Sequence, residues 1–169
     1  MGRSKGFSLL ELLIVVAIIL IIAAIAIPNL LRARIAANEA SAANSIRKIA
    51  TAEVAYSTAF PTVGYAAALT NLGGPATNCT PSTVTACILD SVLSGGTKNG
   101  YQFVAVGSAQ GAGSTNSVFV AGSAPVAFNQ TGVRSFCTIT DGVLRSVNNG
   151  AGGQPANNQA TCIAYPTTQ

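Results

Sequence analysis

The sequence predicts an α+β fold in which a long N-terminal helix packs on a C-terminal antiparallel sheet. Three observations support this prediction. Residues 12–27 are all apolar, the Ala-rich stretch at 29–59 contains neither Gly nor Pro, and the part beyond residue 100 holds short β-rich segments between Gly-rich turns. One long helix followed by consecutive strands is the pattern of an α+β domain, in which the helix covers one face of the sheet.

The apolar segment at residues 7–31 is long enough to cross a membrane. Its 25 residues, at about 1.5 Å rise per residue, exceed the roughly 30 Å thickness of the hydrocarbon core. The polar residues within it are Ser8, Glu11 and Asn29. Because an ionisable side chain in apolar surroundings is costly, Glu11 indicates either a charged partner or a function.

The basic residues Arg3 and Lys5 lie ahead of this segment and favour a cytoplasmic N-terminus, with the C-terminal domain outside. Arg32 and Arg34 at the other end weaken this preference. The same leader also permits a secretory signal peptide, with Ala-Ile-Ala at 24–26 as its cleavage site. The carboxylate near its start and an apolar run longer than the usual length of roughly 7–15 residues argue against this alternative.

Residues 29–59 predict that the helix continues, because Ala, Arg, Glu and Lys all favour helix. Side chains at three-, four- and seven-residue steps form one mostly apolar stripe. The stripe consists of Ile35, Ala42, Ile46, Ile49, Glu53, Tyr56 and Phe60. We expect the first half of the helix to lie in lipid or in a bundle of like helices, and the second half to lie under one covering domain.

The helix is predicted to run from Ser8 to Ala59. Pro61 ends it, since the residue before a proline is pushed away from helical geometry. Pro28 predicts a kink, because its ring removes one backbone hydrogen bond. Glu39 and Glu53 are interpreted as solvated helix residues, with Glu53 balanced by a neighbouring cation at 47 or 48.

Beyond Pro61 the composition changes to Gly, Pro, Thr, Ser and Asn, which predicts a long connection with one helical turn at 65–69. Strands are predicted at 101–106, at 117–121 extending towards 128, at 135–140 and at 143–147. Asp141-Gly142 predicts a hairpin between the last two strands. The tail at 148–169 shows little periodicity and is predicted to be irregular.

Four cysteines permit three disulfide connectivities, and an exported domain would meet an oxidising compartment. They are Cys79, Cys87, Cys137 and Cys162. Chain order favours Cys79 with Cys87 and Cys137 with Cys162, and the second bond would fasten the tail to a strand. A zinc site is less favoured, because the chain has neither a C-x-x-C pair nor a histidine.

The composition argues against enzymes and nucleic-acid binders. Without histidine no Ser-His-Asp or Cys-His arrangement can form, and the sequence has no phosphate-binding or dinucleotide-binding motif. Most of the cations flank the apolar segment, which leaves no clustered basic patch for nucleic acid. Asp90 is assigned to a local loop or cap, and Asp141 to its turn. We therefore expect a structural or adhesive protein without a catalytic residue, cofactor or metal.

A short basic leader precedes the motif Gly6-Phe7-Ser8-Leu9-Leu10-Glu11, and the apolar run ends in Ile27-Pro28-Asn29-Leu30. This combination resembles the amino terminus of type IV prepilins and pseudopilins, over about residues 1–55. The family fold is a long N-terminal helix packed on an antiparallel sheet. Cys137 and Cys162 resemble the disulfide-bounded region of many type IV pilins.

The resemblance implies that a prepilin peptidase cuts between Gly6 and Phe7, that the new amine of Phe7 is methylated, and that Glu11 serves assembly. We expect the Glu11 carboxylate to form a salt bridge with the Phe7 amine of a neighbouring copy. The expected regions are a leader at 1–6, an assembly half of the helix at 7–31, an amphipathic half at 32–60, a connection at 61–100, and a sheet with the disulfide-bounded tail at 101–169.

The implied partners are further copies of the chain in a helical filament, the peptidase and methyltransferase, an assembly platform and a cytoplasmic ATPase. The precursor would lie in the inner membrane with its C-terminal domain in the periplasm, and the product would be an extracellular pilus. Calcium binding is not expected, since the C-terminal half offers only Asp90 and Asp141. The alternatives are a pseudopilin of type II secretion and a secreted or membrane-anchored binding domain without enzymatic activity.

Overall fold

The fold is α+β, as the sequence predicts, in a computed structural model that describes residues 7–111 and 113–167. Its helices are α1 (Leu9–Ala59), α2 (Leu69–Leu72), α3 (Ser91–Ser94) and α4 (Gln159–Ile163), and its strands are β1 (Thr97–Lys98), β2 (Tyr101–Ser108), β3 (Val118–Pro125), β4 (Ser135–Ile139) and β5 (Arg145–Val147). The strands form one antiparallel sheet in sequence order. The chain divides into two compact units, Met1–Arg34 and Ile35–Gln169.

Helix α1 begins and ends close to the predicted positions. The N–H of Leu12 donates to the carbonyl oxygen of Ser8 at 3.2 Å, and the N–H of Phe60 donates to that of Tyr56 at 2.8 Å. Pro61 then stops the helix, because it has no N–H to continue the ladder. Fifty-one residues form this single helix.

The second half of α1 packs its apolar stripe on one face of the sheet. Ile46 and Ile49 are 0% exposed, and burying one such side chain contributes about 1.5–3 kcal/mol. The helix side of this core consists of Ala42, Ile46, Ile49, Ala52 and Tyr56; the sheet side consists of Tyr101, Phe103, Ala105, Phe119, Ala121 and Phe136. The stripe predicted for this half of the helix is therefore the one that is buried, except that Ile35 and Phe60 are only partly covered.

The C-terminal tail covers the opposite face of the sheet, which the sequence does not predict. Ala156, Cys162 and Tyr165 pack there in a second buried cluster, with side chains from β3 and β4. Gly122 of β3 permits this contact, since a Cβ at that position would lie 2.2 Å from the carbonyl oxygen of Ala156. Disulfides join Cys137 to Cys162 and Cys79 to Cys87, and the first of them fixes the tail to β4.

Several local predictions differ from the structure. The predicted helical turn at 65–69 is displaced to α2, because the carbonyl oxygens of Tyr65 and Ala66 accept from Nδ2 of Asn116 and the N–H of Gly107 instead of from amides one turn later. Helix α3 and strand β1 lie within the predicted connection. Strand β5 is shorter than predicted, so five residues rather than a two-residue turn separate it from β4. The tail is not wholly irregular, since Asn158 caps the short helix α4 through a 2.8 Å bond from the N–H of Thr161.

The interpretation of Glu39 and Glu53 as solvated residues is wrong. Glu39 is 7% exposed and Glu53 is 0% exposed. Glu39 has specific partners: its Oε1 accepts from the N–H groups of Val133 and Arg134 at 2.9 and 3.1 Å, and its Oε2 accepts from Nε of Arg134 at 2.8 Å. This carboxylate therefore holds the β3–β4 connection on α1, and the N–H donors explain why it is tolerated inside the protein.

Two effects compete at Glu39. Burial raises the pKa of the carboxyl group, but the N–H of Val133, the side chain of Arg134 and the N–H of Arg134 outweigh it, so the pKa lies below its usual value of 4.5. A lowered pKa in the folded state stabilises the fold above the unfolded pKa, and this contribution is lost as the pH falls through the folded pKa. The Glu39 bonds are therefore fully formed at neutral pH.

Removing the Cys137–Cys162 disulfide should destabilise the protein more than removing the Cys79–Cys87 disulfide. The chain separations are 25 and 8 residues, and loop-closure entropy gives losses of about 3.5 and about 2.5 kcal/mol respectively. The measurement is urea unfolding of the two double Cys→Ala variants, in detergent. Equal stability of the Cys137→Ala/Cys162→Ala variant and the wild type would contradict the role of this bond in holding the tail.

Replacing Glu39 by alanine should lower the free energy of unfolding by about 3 kcal/mol, because two backbone N–H groups lose their acceptor. Arg47→Ala is the matched control on the same helix, since Arg47 is exposed and should change stability by less than about 0.5 kcal/mol. Both variants are compared by urea unfolding at neutral pH. Indistinguishable curves for the two variants would show that Glu39 does not hold the connection.

Candidate functional site

The beginning of α1 is an apolar helix whose large side chains are exposed in the part of the chain that the structure describes. The large apolar residues from Phe7 to Leu31 are between 45% and 81% exposed. This part of the helix is long and apolar enough to cross a membrane. An exposed apolar surface of this extent indicates contact with lipid or with other protein chains.

Glu11 lies in the first turn of α1 and is exposed. Its Oε2 accepts the backbone N–H of Ser8 at 3.1 Å. This is one half of a capping box, in which a Glu three residues after the N-cap satisfies a backbone donor at the helix start. The carboxylate also complements the positive end of the helix dipole. The motif Ser8-Leu9-Leu10-Glu11 carries this signal, which our interpretation of the sequence missed.

The structure does not test the predicted salt bridge between Glu11 and Phe7. Phe7 is 80% exposed, and its nitrogen is an amide in the uncut chain, so it carries no charge there. Gly6, the residue expected before the cut, lies outside the described residues. The pairing therefore stays a prediction for the processed protein.

Pro28 lies inside α1, and the helix continues on both sides of it. Its nitrogen cannot donate to the preceding turn, so one carbonyl group of the helix lacks its usual partner. The kink remains a prediction. Arg32 and Arg34 follow on exposed positions of the same helix, where cations suit a boundary between an apolar and an aqueous environment.

The remaining carboxylates support local structure. Asp90 caps α3 by accepting the N–H of Leu93 at 2.9 Å, as predicted, and this bond, with Lys98 at 3.4 Å, lowers the pKa of Asp90. Asp141 accepts the N–H of Val143 in the predicted turn and pairs with Arg145. Within the part of the chain that the structure describes, no three His, Cys, Asp or Glu residues come together as metal ligands.

The N-terminal sequence matches a known family. The prokaryotic N-terminal methylation motif matches residues 1–27. This match includes Gly6, Phe7 and Glu11, and it covers most of the exposed apolar part of α1.

Two pilus proteins are similar to the chain. The type IV wide pilus major component PilA4 of Thermus thermophilus is 64% identical over 39 residues, which are 23% of this chain and 30% of the relative. The type IV major pilin protein PilA of Myxococcus xanthus is 43% identical over 54 residues, which are 32% of this chain and 24% of the relative. The chain thus matches less than a third of the length of each relative.

No solved structure matches the chain. Its architecture consists of a long helix with an apolar beginning and a five-stranded antiparallel sheet. The methylation motif and the two similar proteins show that the N-terminal part of the chain is similar to that of type IV pilins.

Proposed function

We propose that the chain is the structural subunit of a type IV pilus. In this proposal a prepilin peptidase cuts after Gly6, Phe7 becomes the N-methylated first residue, and the processed chains polymerise through their N-terminal helices. The observation that carries the proposal is the overlap of the methylation motif at 1–27 with an exposed apolar helical segment, residues 9–31, whose one charged residue is Glu11.

Processing changes the electrostatics at the helix start. Cleavage converts the Phe7 amide nitrogen into a cationic amine four residues before Glu11, and both charges then lie in apolar surroundings. Attraction between opposite charges is stronger there than in water, and a buried charge without a partner costs several kcal/mol. A subunit whose amine meets the Glu11 carboxylate of a neighbour is therefore favoured over a subunit that enters out of register.

The surface of residues 7–31 serves two states in this proposal. In the precursor it lies in the inner membrane, with the N-terminus in the cytoplasm and the sheet domain in the periplasm. In the filament the same surface packs against other copies. Head-to-tail contacts whose rotation does not close produce an open helical polymer.

Assembly needs external machinery. Extraction from the bilayer is unfavourable because the apolar surface leaves lipid, and the sequence contains no nucleotide-binding motif that would supply the energy. A separate platform and a cytoplasmic ATPase are the partners that this proposal requires. The chain itself contributes structure and no catalysis.

A pseudopilin of type II secretion is the second candidate, since it would share the leader and the helix. Two observations favour a pilin. The names of both similar proteins describe pilus components, and the Cys137–Cys162 disulfide bounds a C-terminal region like that of many type IV pilins. Long surface fibres that contain the chain, seen by electron microscopy of sheared material, would distinguish a pilus from a short periplasmic filament.

The mature protein should begin with N-methylated Phe7. The measurement is mass spectrometry of the N-terminal peptide of protein purified from its native host. A chain that begins with Met1 would indicate an uncut membrane anchor, and one that begins with Ile27 would indicate a signal peptidase. Either result would contradict the proposed processing.

Both Glu11→Ala and Glu11→Gln should insert into the membrane but should form no filaments, because neither side chain can pair with a cationic amine. The two variants separate the charge from the cap: Gln still offers an oxygen to the N–H of Ser8, whereas Ala does not. Membrane fractionation measures insertion, and electron microscopy measures assembly. Filaments from Glu11→Gln but not from Glu11→Ala would assign the role of Glu11 to capping, and normal filaments from both would exclude a role in assembly.

A further inference from the structure

Glu53 is a fully buried carboxyl group with only part of its hydrogen-bonding capacity satisfied. It lies on the buried stripe of α1 and is 0% exposed. Its Oε2 accepts the backbone N–H of Ala66 at 2.8 Å, whereas its Oε1 has no hydrogen-bond partner among the described residues. An ionised carboxylate in this position is costly, because one N–H donor does not replace the water that both oxygens lose.

The residue that Glu53 holds belongs to a short segment at 63–66, which we call the post-helix strap. The carbonyl oxygen of Ala66 accepts the N–H of Gly107 at 2.8 Å. Gly107, near the end of β2, permits this approach, since a Cβ there would lie 2.5 Å from the carbonyl oxygen of Ala66. The strap therefore lies between Glu53 on the helix and the edge of β2.

The other end of the strap is held by the β2–β3 connection. The N–H of Tyr65 donates to the carbonyl oxygen of Asn116 at 2.9 Å, and Nδ2 of Asn116 donates to the carbonyl oxygen of Tyr65 at 2.9 Å. The N–H of Asn116 donates to the carbonyl oxygen of Val63 at 2.9 Å. Glu53 thus supplies the bond between the strap and α1, while these bonds tie the strap to the sheet.

Within residues 7–111 and 113–167, Glu53 forms no ion pair with a cation. The ion pairs of the described residues are Lys98 with Asp90, Arg134 with Glu39 and Arg145 with Asp141. Arg47 and Lys48, which the sequence suggested as partners, are exposed.

The groups that face Glu53 are Tyr56 on α1 and the N–H of Ala66 on the strap. Burial raises the pKa of Tyr56, and the electrostatic interaction with Glu53 raises it further. Desolvation raises the pKa of the Glu53 carboxyl from 4.5 to about 7, and the hydrogen bond from the N–H of Ala66 opposes this rise only partly.

From this geometry we propose that Glu53 is a proton-dependent latch, which holds the post-helix strap on α1 when its carboxyl is neutral and loosens the strap when the proton leaves. The closed strap binds the proton more tightly than an opened strap, in which the carboxyl meets water. The closed state is therefore favoured fully below about pH 4.5, loses stability as the pH rises towards about 7, and changes no further above that. The proposal does not depend on whether the chain polymerises.

Amide hydrogen exchange, read by NMR on the full chain in detergent micelles and corrected for intrinsic rates, tests the latch. The protection of the Ala66 N–H should fall about tenfold per pH unit, or roughly 100-fold between about pH 5 and about pH 7, and should then level off. The N–H of Gly107 should follow it. In parallel, ¹³C-labelled glutamate carboxyls should show one signal that titrates near neutral pH and disappears in Glu53→Gln.

Glu53→Gln is the matched variant, because it has nearly the same shape, still accepts the N–H of Ala66 and cannot ionise. In this variant the protection of Ala66 should not change with pH. The Val133 N–H, which donates to the ionised Glu39, is the internal control and should keep its protection in both proteins. Three results would overturn the latch: the same fall at Ala66 in Glu53→Gln, no fall in the wild type, or an equal fall at Val133, which would indicate global unfolding.

If Glu53→Gln fails to fold, the wild-type protein alone decides the matter. A reversible fall at Ala66 that coincides with the midpoint of a glutamate carboxyl signal near pH 7 supports the latch. A fall that is not accompanied by any such titration contradicts it.

Discussion

The packing of the second half of α1 on the sheet is the interaction on which the rest of the structure depends. Ile46, Ile49 and Tyr56 are completely or almost completely buried, and they contact strands that are far away in the sequence. Without this contact the helix stripe and the inner face of the sheet would both expose apolar side chains to water, at a cost of about 25 cal/mol per Å². The strap, the β3–β4 connection and the tail are all placed relative to this layer pair.

Carboxylates connect these peripheral segments to the layer pair. Glu39 holds the β3–β4 connection through two backbone N–H groups and Arg134, and Glu53 holds the strap through one N–H group. The difference in the number of donors explains why their pKa values move in opposite directions. Glu39 is therefore ionised at neutral pH, whereas the pKa of Glu53 is raised to about 7.

The main elements were predicted well, because each is defined by a pronounced pattern of neighbouring residues. The apolar run, the Gly-free helical stretch and Pro61 define α1, and the β-rich segments define β2, β3 and β4 to within a few residues. The buried state of Glu53 was also present in the pattern, since residue 53 lies on the apolar stripe. It was misread because residue type was given more weight than position on the helix.

Other features depend on contacts between distant residues and could not be read from local pattern. The donors to Glu39 come from residues more than ninety positions away, and the cover on the second face of the sheet comes from a tail with no periodicity. The residues of the proposed assembly site, in contrast, lie close together in the sequence. Gly6, Phe7 and Glu11 were named from a contiguous motif, whereas the bond from the N–H of Ser8 to Glu11 required only a spacing of three residues that was overlooked.

The C-terminal tail, which covers the second face of the sheet, contains both buried positions and positions where the sequence can vary. Three residues of the tail, Ala156, Cys162 and Tyr165, are buried on the sheet, whereas most of residues 148–155 are exposed. Substitutions or insertions among the exposed positions would alter the outer surface while leaving the helix–sheet core and the apolar helix untouched. The fold thus separates the exposed positions of the tail from the apolar helix, which is the surface that packs against other copies in the proposed filament.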